Sequence, residues 1–90
     1  MRTVQVDVVT PEQKVYEGEA TLVIARGVEG ELGIQPGHAP LVTPLKPGVL
    51  RIKLENKEEQ IRITGGFLEV RPEKVTILAD TVEMAESEGK

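Results

Sequence analysis

Val4, Val6 and Val8 alternate with Gln5 and Asp7 in TVQVDVV. This period of two predicts a β-strand with one dry face and one wet face. TPEQ then reads as a turn, and VYEGEA as a short strand broken at Gly18. TLVIA, residues 21–25, is an unbroken apolar run, long enough for a buried strand and too short for a helix. The clearest local pattern is GVLRIKLENKEEQIRITGG. Leu50, Ile52 and Leu54 alternate with Arg51, Lys53 and Glu55, and Ile61 and Ile63 alternate with Arg62 and Thr64. With ENKEE as a polar loop between them, the two runs predict a hairpin with one apolar face. Leu68 and Val70 share a face in GGFLEV, RPEK turns the chain, and VTILA makes a further strand. Strand signals spaced roughly ten residues apart between polar turns predict an all-β domain over residues 1–80, a sandwich or barrel.

Two stretches break this rhythm. RGVEGELG carries glycines at 27, 30 and 33 and predicts a tight loop or bulged hairpin. Prolines at 36, 40, 44 and 47 follow, removing four backbone donors. They rule out a regular helix and predict a stiff surface path outside any central ladder, with LVT as a short edge strand. At the C-terminus, Asp80 precedes Glu83 by three residues, the spacing of a capping box, but an isolated helix this short is marginal in water. Residues 81–90 read as a frayed tail or the start of a further segment. No internal repeat or low-complexity segment is found.

Composition narrows the core and the partners. Aromatic residues are 2% of the chain, Tyr16 and Phe67, so the core must be Val, Ile and Leu. Those side chains suit a pleated surface. Fifteen acidic residues against eleven basic give a net charge of -4. That balance argues against nucleic acid, which requires a basic face. With no cysteine, disulfides and thiolate metal sites are excluded. MRTVQVDVV lacks the apolar centre of a secretory signal, and no apolar run approaches about 18 residues, so neither export nor a membrane span is expected.

The chemistry-bearing residues are few. His38 is the only histidine and could act as a general base near neutral pH. It lacks the partners for that role: there is no Cys, the only Ser is Ser87, and Thr43 is a poor nucleophile. One His without cysteines or a paired His spacing also makes a poor metal site, so a local hydrogen bond or a partner contact is the better reading. Glu29 and Glu31 flank Gly30 and could form an acid/base pair, but two Glu among glycines more often mark a solvated loop tip that binds. GVEG has no following phosphate-binding Lys. Gly65 and Gly66 read as a bulge or corner. Lys74, in a turn, admits a lipoyl- or biotinyl-type carrier domain as an alternative, although the sixteen residues after it leave half of such a domain missing.

EGELGIQPGHAPLVTPLKPG, ITGGFLEV and VTILADT occur in this order. Together they resemble the epsilon subunit family of F-type ATP synthases, over about residues 4 to 82. The resemblance implies a flattened antiparallel β-sandwich of about eight to ten strands, the fold class already expected from the alternation. It implies a non-enzymatic rotor subunit linking the gamma subunit to the c-ring, needing no cofactor or metal and forming no obligate homo-oligomer. By motif, Glu29, Gly30 and Glu31 would face the c-ring, with Thr10, His38 and Thr43 on the gamma side. The expected location is peripheral, on the cytoplasmic face of a bacterial membrane; the stromal face of thylakoids is the lesser alternative. Residues 81–90 fall where the family usually continues into a C-terminal helical hairpin. The inhibition and ATP binding carried by that hairpin are not expected of these residues.

Overall fold

The computed structural model describes residues 2–84 as ten strands, with no helix among them. In chain order they are β1 (Val4–Val9), β2 (Lys14–Ala20), β3 (Leu22–Gly27), β4 (Gly30–Ile34), β5 (Leu41–Leu45), β6 (Gly48–Leu54), β7 (Lys57–Ile63), β8 (Gly66–Arg71), β9 (Lys74–Ala79) and β10 (Val82–Met84). They form one sheet ordered β10-β7-β6-β3-β5-β8-β9-β1-β2, with β4 on the other side of β3. β1 and β9 are parallel; the other described pairs are antiparallel. The sheet folds over itself in two halves, joined where Gly27 of β3 meets Leu45 of β5. Val4, Val6, Val8, Leu68, Val70, Val75 and Ile77 from one half pack in one core with Val23, Ile34, Leu50, Ile52, Ile61 and Ile63 from the other. The expected all-β sandwich is therefore present, and its core is aliphatic, as the shortage of aromatics requires.

Several local expectations are corrected. β2 runs unbroken through Gly18, which pairs with Val6. A Cβ there would lie 2.8 Å from the hydroxyl of Tyr16, which would have to move aside. The β6–β7 loop shrinks to Glu55 and Asn56, since Lys57 to Glu59 belong to the ladder. The tail is not frayed at its start: Val82 pairs with Ile63 and Met84 with Ile61, a strand where a helix cap had been possible. Residues 85–90 of the expected tail lie outside the described residues.

The largest correction concerns the proline-rich stretch. β5 is not an edge: it pairs with β8 over five residues and meets β3 at Leu45. Register explains how Pro44 is tolerated. The N–H and C=O of one strand residue point to the same side. The Pro44 carbonyl accepts from Val28 N–H at 3.3 Å, and Lys46 N–H donates to the Arg26 carbonyl at 2.9 Å. Even-numbered residues here thus address β3 and odd-numbered ones address β8, so the donor that proline lacks is not drawn from the β5–β8 ladder.

β8 starts at a corner. Gly65 and Gly66 have φ of +133° and +149°, a region that favours glycine. A Cβ on Gly66 would run into the carbonyl oxygen of Leu78 on β9. The expected glycine corner is present, with Asp80 N–H donating to the Gly65 carbonyl at 2.9 Å to tie the ends of β8 and β9 together.

Asp7 overturns the expectation of a wet face on β1: it is 5% exposed. Its carboxylate lies between the flanking strands. Lys74 Nζ of β9 is 3.1 Å away and Lys14 Nζ of β2 3.6 Å away, while the Gln5 amide donates at 3.0 Å. Lys14 also reaches Glu17, the residue directly opposite Asp7, at 3.5 Å, which offsets the like-charge pairing. Burial pushes the Asp7 carboxyl up, but the hydrogen bonds from Gln5 and Lys74 and the charges of Lys14 and Lys74 outweigh it and hold it below the usual carboxylate value.

Two outcomes are expected. Gly66→Ala loses more than about 2 kcal/mol, from strain plus backbone collision, lowering the melting temperature by roughly 10 °C in thermal denaturation. Because the folded pKa of Asp7 is depressed, its contribution is present at neutral pH, above the unfolded value of about 4, and disappears as pH falls through the folded value. Urea midpoints of wild type and Asp7→Asn should therefore differ at pH 7 and converge at the lowest pH where both still fold.

Candidate docking faces

The stretch that carries most of the singled-out residues is held by a defined turn. In Gln35-Pro36-Gly37-His38, His38 N–H donates to the Gln35 carbonyl at 3.2 Å and Gly37 has φ +82°. Proline second and a positive-φ glycine third define a type II turn. Gly37 N–H donates to the Pro72 carbonyl at 2.9 Å, fastening this turn to the β8–β9 turn. His38 is half-buried, with Nδ1 2.7 Å from the Ala39 carbonyl. That contact makes Nδ1 the donor and leaves Nε2 as the acceptor of the neutral ring.

The other predicted residues occupy three different settings. Thr10 is buried at 9% exposure, and its hydroxyl is spent locally: it donates to the Gln13 carbonyl at 3.2 Å and accepts from Gln13 N–H at 3.3 Å. It caps the β1–β2 turn while lining a shallow hollow with Phe67 and Leu78. Glu29 and Gly30 are exposed at the β3–β4 turn, and Gly30 has φ +135°. Glu31 stands in β4 opposite Arg26. Thr43 shares the face of Leu68, its partner on β8, so it points away from the side that Val42 occupies. The fold brings Thr43 together with Glu29, Gly30 and Glu31 around a hollow of about 250 Å3, and leaves His38 and Thr10 outside it. Lys74 is the ion-pair partner of Asp7 rather than a free arm at a hairpin tip. Among the described residues no group of three or more His, Cys, Asp or Glu side chains is placed to hold a metal ion.

A further surface was not singled out from the sequence. Val42, Phe67 and Leu78 are 68%, 52% and 47% exposed. Register makes them neighbours: Pro44 pairs with Phe67, Phe67 with Leu78, and Leu78 with Val9. They form an apolar band across β5, β8, β9 and β1 on the outside of the sandwich. A contiguous exposed apolar band of this kind is a candidate contact surface. A signal was available in the alternation: Phe67 is out of phase with Leu68 and Val70, so one of the two aromatic residues had to face outward.

Fold and surfaces together define a β-sandwich domain whose singled-out residues, apart from the inward-facing Thr43, lie on outer faces and turns. The chain belongs to the ATP synthase delta/epsilon chain family: the model of that family's β-sandwich domain matches residues 3–85. It is 56% identical over 84 residues to the ATP synthase epsilon chain of Alkalihalophilus pseudofirmus, covering 93% of this chain and 63% of the relative. It is 58% identical over 85 residues to that of Brevibacillus brevis, covering 93% and 64%. The chain thus spans just under two thirds of the length of these curated relatives. A chain of the Euglena gracilis mitochondrial ATP synthase, solved as an OSCP/F1/c-ring assembly, superposes with a TM-score of 0.85 at 26% identity, over 91% of this chain and 53% of that one.

The apolar band lies outside the core, which sets an expectation. Phe67→Ser and Leu78→Ser, each at a half-exposed site, should each lose about 1 kcal/mol in urea unfolding. Ile77→Ala, at the fully buried position beside Leu78, should lose about 2–5 kcal/mol.

Proposed function

We propose that this chain is the β-sandwich portion of an epsilon subunit of F-type ATP synthase, a central-stalk part without catalysis of its own. In this reading it joins the gamma subunit to the c-ring and couples ion-driven rotation of the ring to ATP synthesis in the catalytic head. The observation that carries the reading is the exposed apolar band of Val42, Phe67 and Leu78, on a chain of this family. Burying such a band against a larger partner removes apolar surface from water, which is the main favourable term in association.

The gamma subunit covers this band, with Thr10 at the β1–β9 end and His38 in the turn leading into β5. The acidic corner of Glu29, Gly30 and Glu31 addresses the c-ring, and Thr43 lies on the inner side of β5 next to that corner. Glu31 and His38 act there as polar selectors of partner and register rather than as the source of affinity. Attachment to the membrane is peripheral, through the complex; among the described residues no helix is long and apolar enough to cross a bilayer. Both faces stand on strands or on short turns fastened to them, so little chain entropy is lost when they dock.

The test is co-elution of the 90-residue chain with purified cognate gamma subunit at micromolar concentration. A stable complex is expected, weakened at least about tenfold in the Val42→Ser/Phe67→Ser double variant and to a lesser degree in His38→Ala. No complex with wild type, or a double variant that binds as well as wild type while folding normally, overturns the assignment of this face.

A further inference from the structure

The other half of the sandwich carries a cleft of about 460 Å3 on the outside of β3, β6 and β7. Arg26, Lys46 and Arg62 line it, together with the backbone of Gly27, Gly30 and Gly48. In a chain of net charge -4 this is a local concentration of cations. It is also a built one. Lys46 N–H donates to the Arg26 carbonyl at 2.9 Å, which holds the β5–β6 connection against β3 and sets the two side chains side by side. The Arg26 stem lies across Gly48, where a Cβ would stand 2.6 Å from Arg26 Cδ, so glycine there lets the stem lie flat. Arg62 enters from β7, opposite Val49 of β6.

The carboxylates nearby neutralise the cleft only in part. Arg51, also in the lining, is held by Glu58 at 2.8 Å, and Arg62 is a loose 3.9 Å from Glu83. Among the described residues no carboxylate lies within 4.0 Å of Arg26 or Lys46. Glu31 stands opposite Arg26 in the β3–β4 register and lines the same cleft, yet makes no ion pair with it.

We propose that this cleft binds a phosphate group. Three cations approaching from β3, the β5–β6 connection and β7 match an anion with several charged oxygens. A planar guanidinium engages two of those oxygens at once, and an ammonium adds a point charge. Glu31 at the rim weakens the pull on any anion, and a doubly charged phosphate, gaining about twice the net attraction of a singly charged carboxylate, is the better match. Glycines leave the backbone open for the ligand to approach closely. The phosphate is carried either by a soluble compound or by an anionic lipid headgroup. The site belongs to this chain alone and does not depend on the rotor reading.

The experiment has two arms on the isolated 90-residue chain. Amide NMR shifts are followed during titration with inorganic phosphate, with chloride holding the ionic strength fixed. Co-sedimentation is measured with phosphatidylglycerol vesicles against phosphatidylcholine vesicles. Saturable shifts at Gly27, Gly30 and Gly48 with phosphate identify a soluble source; preference for phosphatidylglycerol without phosphate saturation identifies a headgroup. Arg26→Gln/Lys46→Gln should weaken whichever response is seen by roughly tenfold or more, since hydrogen bonds to charged groups are being removed. Lys57→Gln, in the β6–β7 hairpin, should leave it unchanged. Matched melting curves establish that the variants fold. The proposal falls if neither arm responds, if the double variant responds like wild type, or if Lys57→Gln loses as much as the double variant.

Discussion

The inward faces of two half-sheets have to meet over a core containing almost nothing but Val, Ile, Leu and Ala. Small branched side chains fill such a space only if the halves approach closely and in register, and this constraint governs the rest of the fold. It makes β5 a bridge between the halves, and it requires the β8 corner at Gly65–Gly66 to turn without a side chain in the way of β9. It also accounts for the position of Pro44. A proline is compatible with a bridging strand when its nitrogen faces away from the longer ladder, as the alternating hydrogen bonds of Pro44 and Lys46 toward β3 establish. Close packing of this kind leaves little slack, so a shift of one strand is felt across the sheet.

A filled interior leaves the outside of the sandwich to carry function, and the two halves carry different chemistry there. One presents the apolar band of Val42, Phe67 and Leu78 and, beside it on β1, the buried Asp7 network. The other presents the cationic cleft around Arg26 and Lys46. Asp7 is instructive because a carboxylate in a sheet that close to the core must be paired, and it is paired from both neighbouring strands at once. The same lysine that could have been a modified arm, Lys74, is thereby committed to structure. The candidate docking faces sit on strands and on turns fixed by hydrogen bonds, such as Gly37 to Pro72.

Much of this was legible in the chain. The alternation at Val4-Val6-Val8, Leu50-Ile52 and Ile61-Ile63 identified inward faces correctly because the side-chain period of a strand is local and does not depend on what the strand pairs with. The glycine corner at Gly65–Gly66 was legible for the same reason. Other features were not. Asp7 alternates like a wet residue, and nothing nearby in sequence announces that Lys74, far along the chain, lies over it. LVT looked like an edge because prolines surround it, while its ladder partners β8 and β3 lie on both sides of it in sequence. VEM, too short and too close to a capping pattern to be read as a strand, becomes one by pairing with β7.

Among the candidate site residues the same division holds. Residue type and local spacing by themselves determined the fold class, the aliphatic core, the tight glycine-flanked turn at Glu29, and the shortage of partners for a catalytic His38. Tertiary structure decided which of the remaining residues share a surface. It turned Thr43 inward and Val42 outward on β5 and spent the Thr10 hydroxyl in its own turn. It also assembled the apolar band and the cationic cleft from strands far apart in the chain. The reason is physical: periodicity and turn chemistry act over a few residues, whereas a surface is made by hydrogen-bond register between strands, and register is set by how the whole aliphatic core closes.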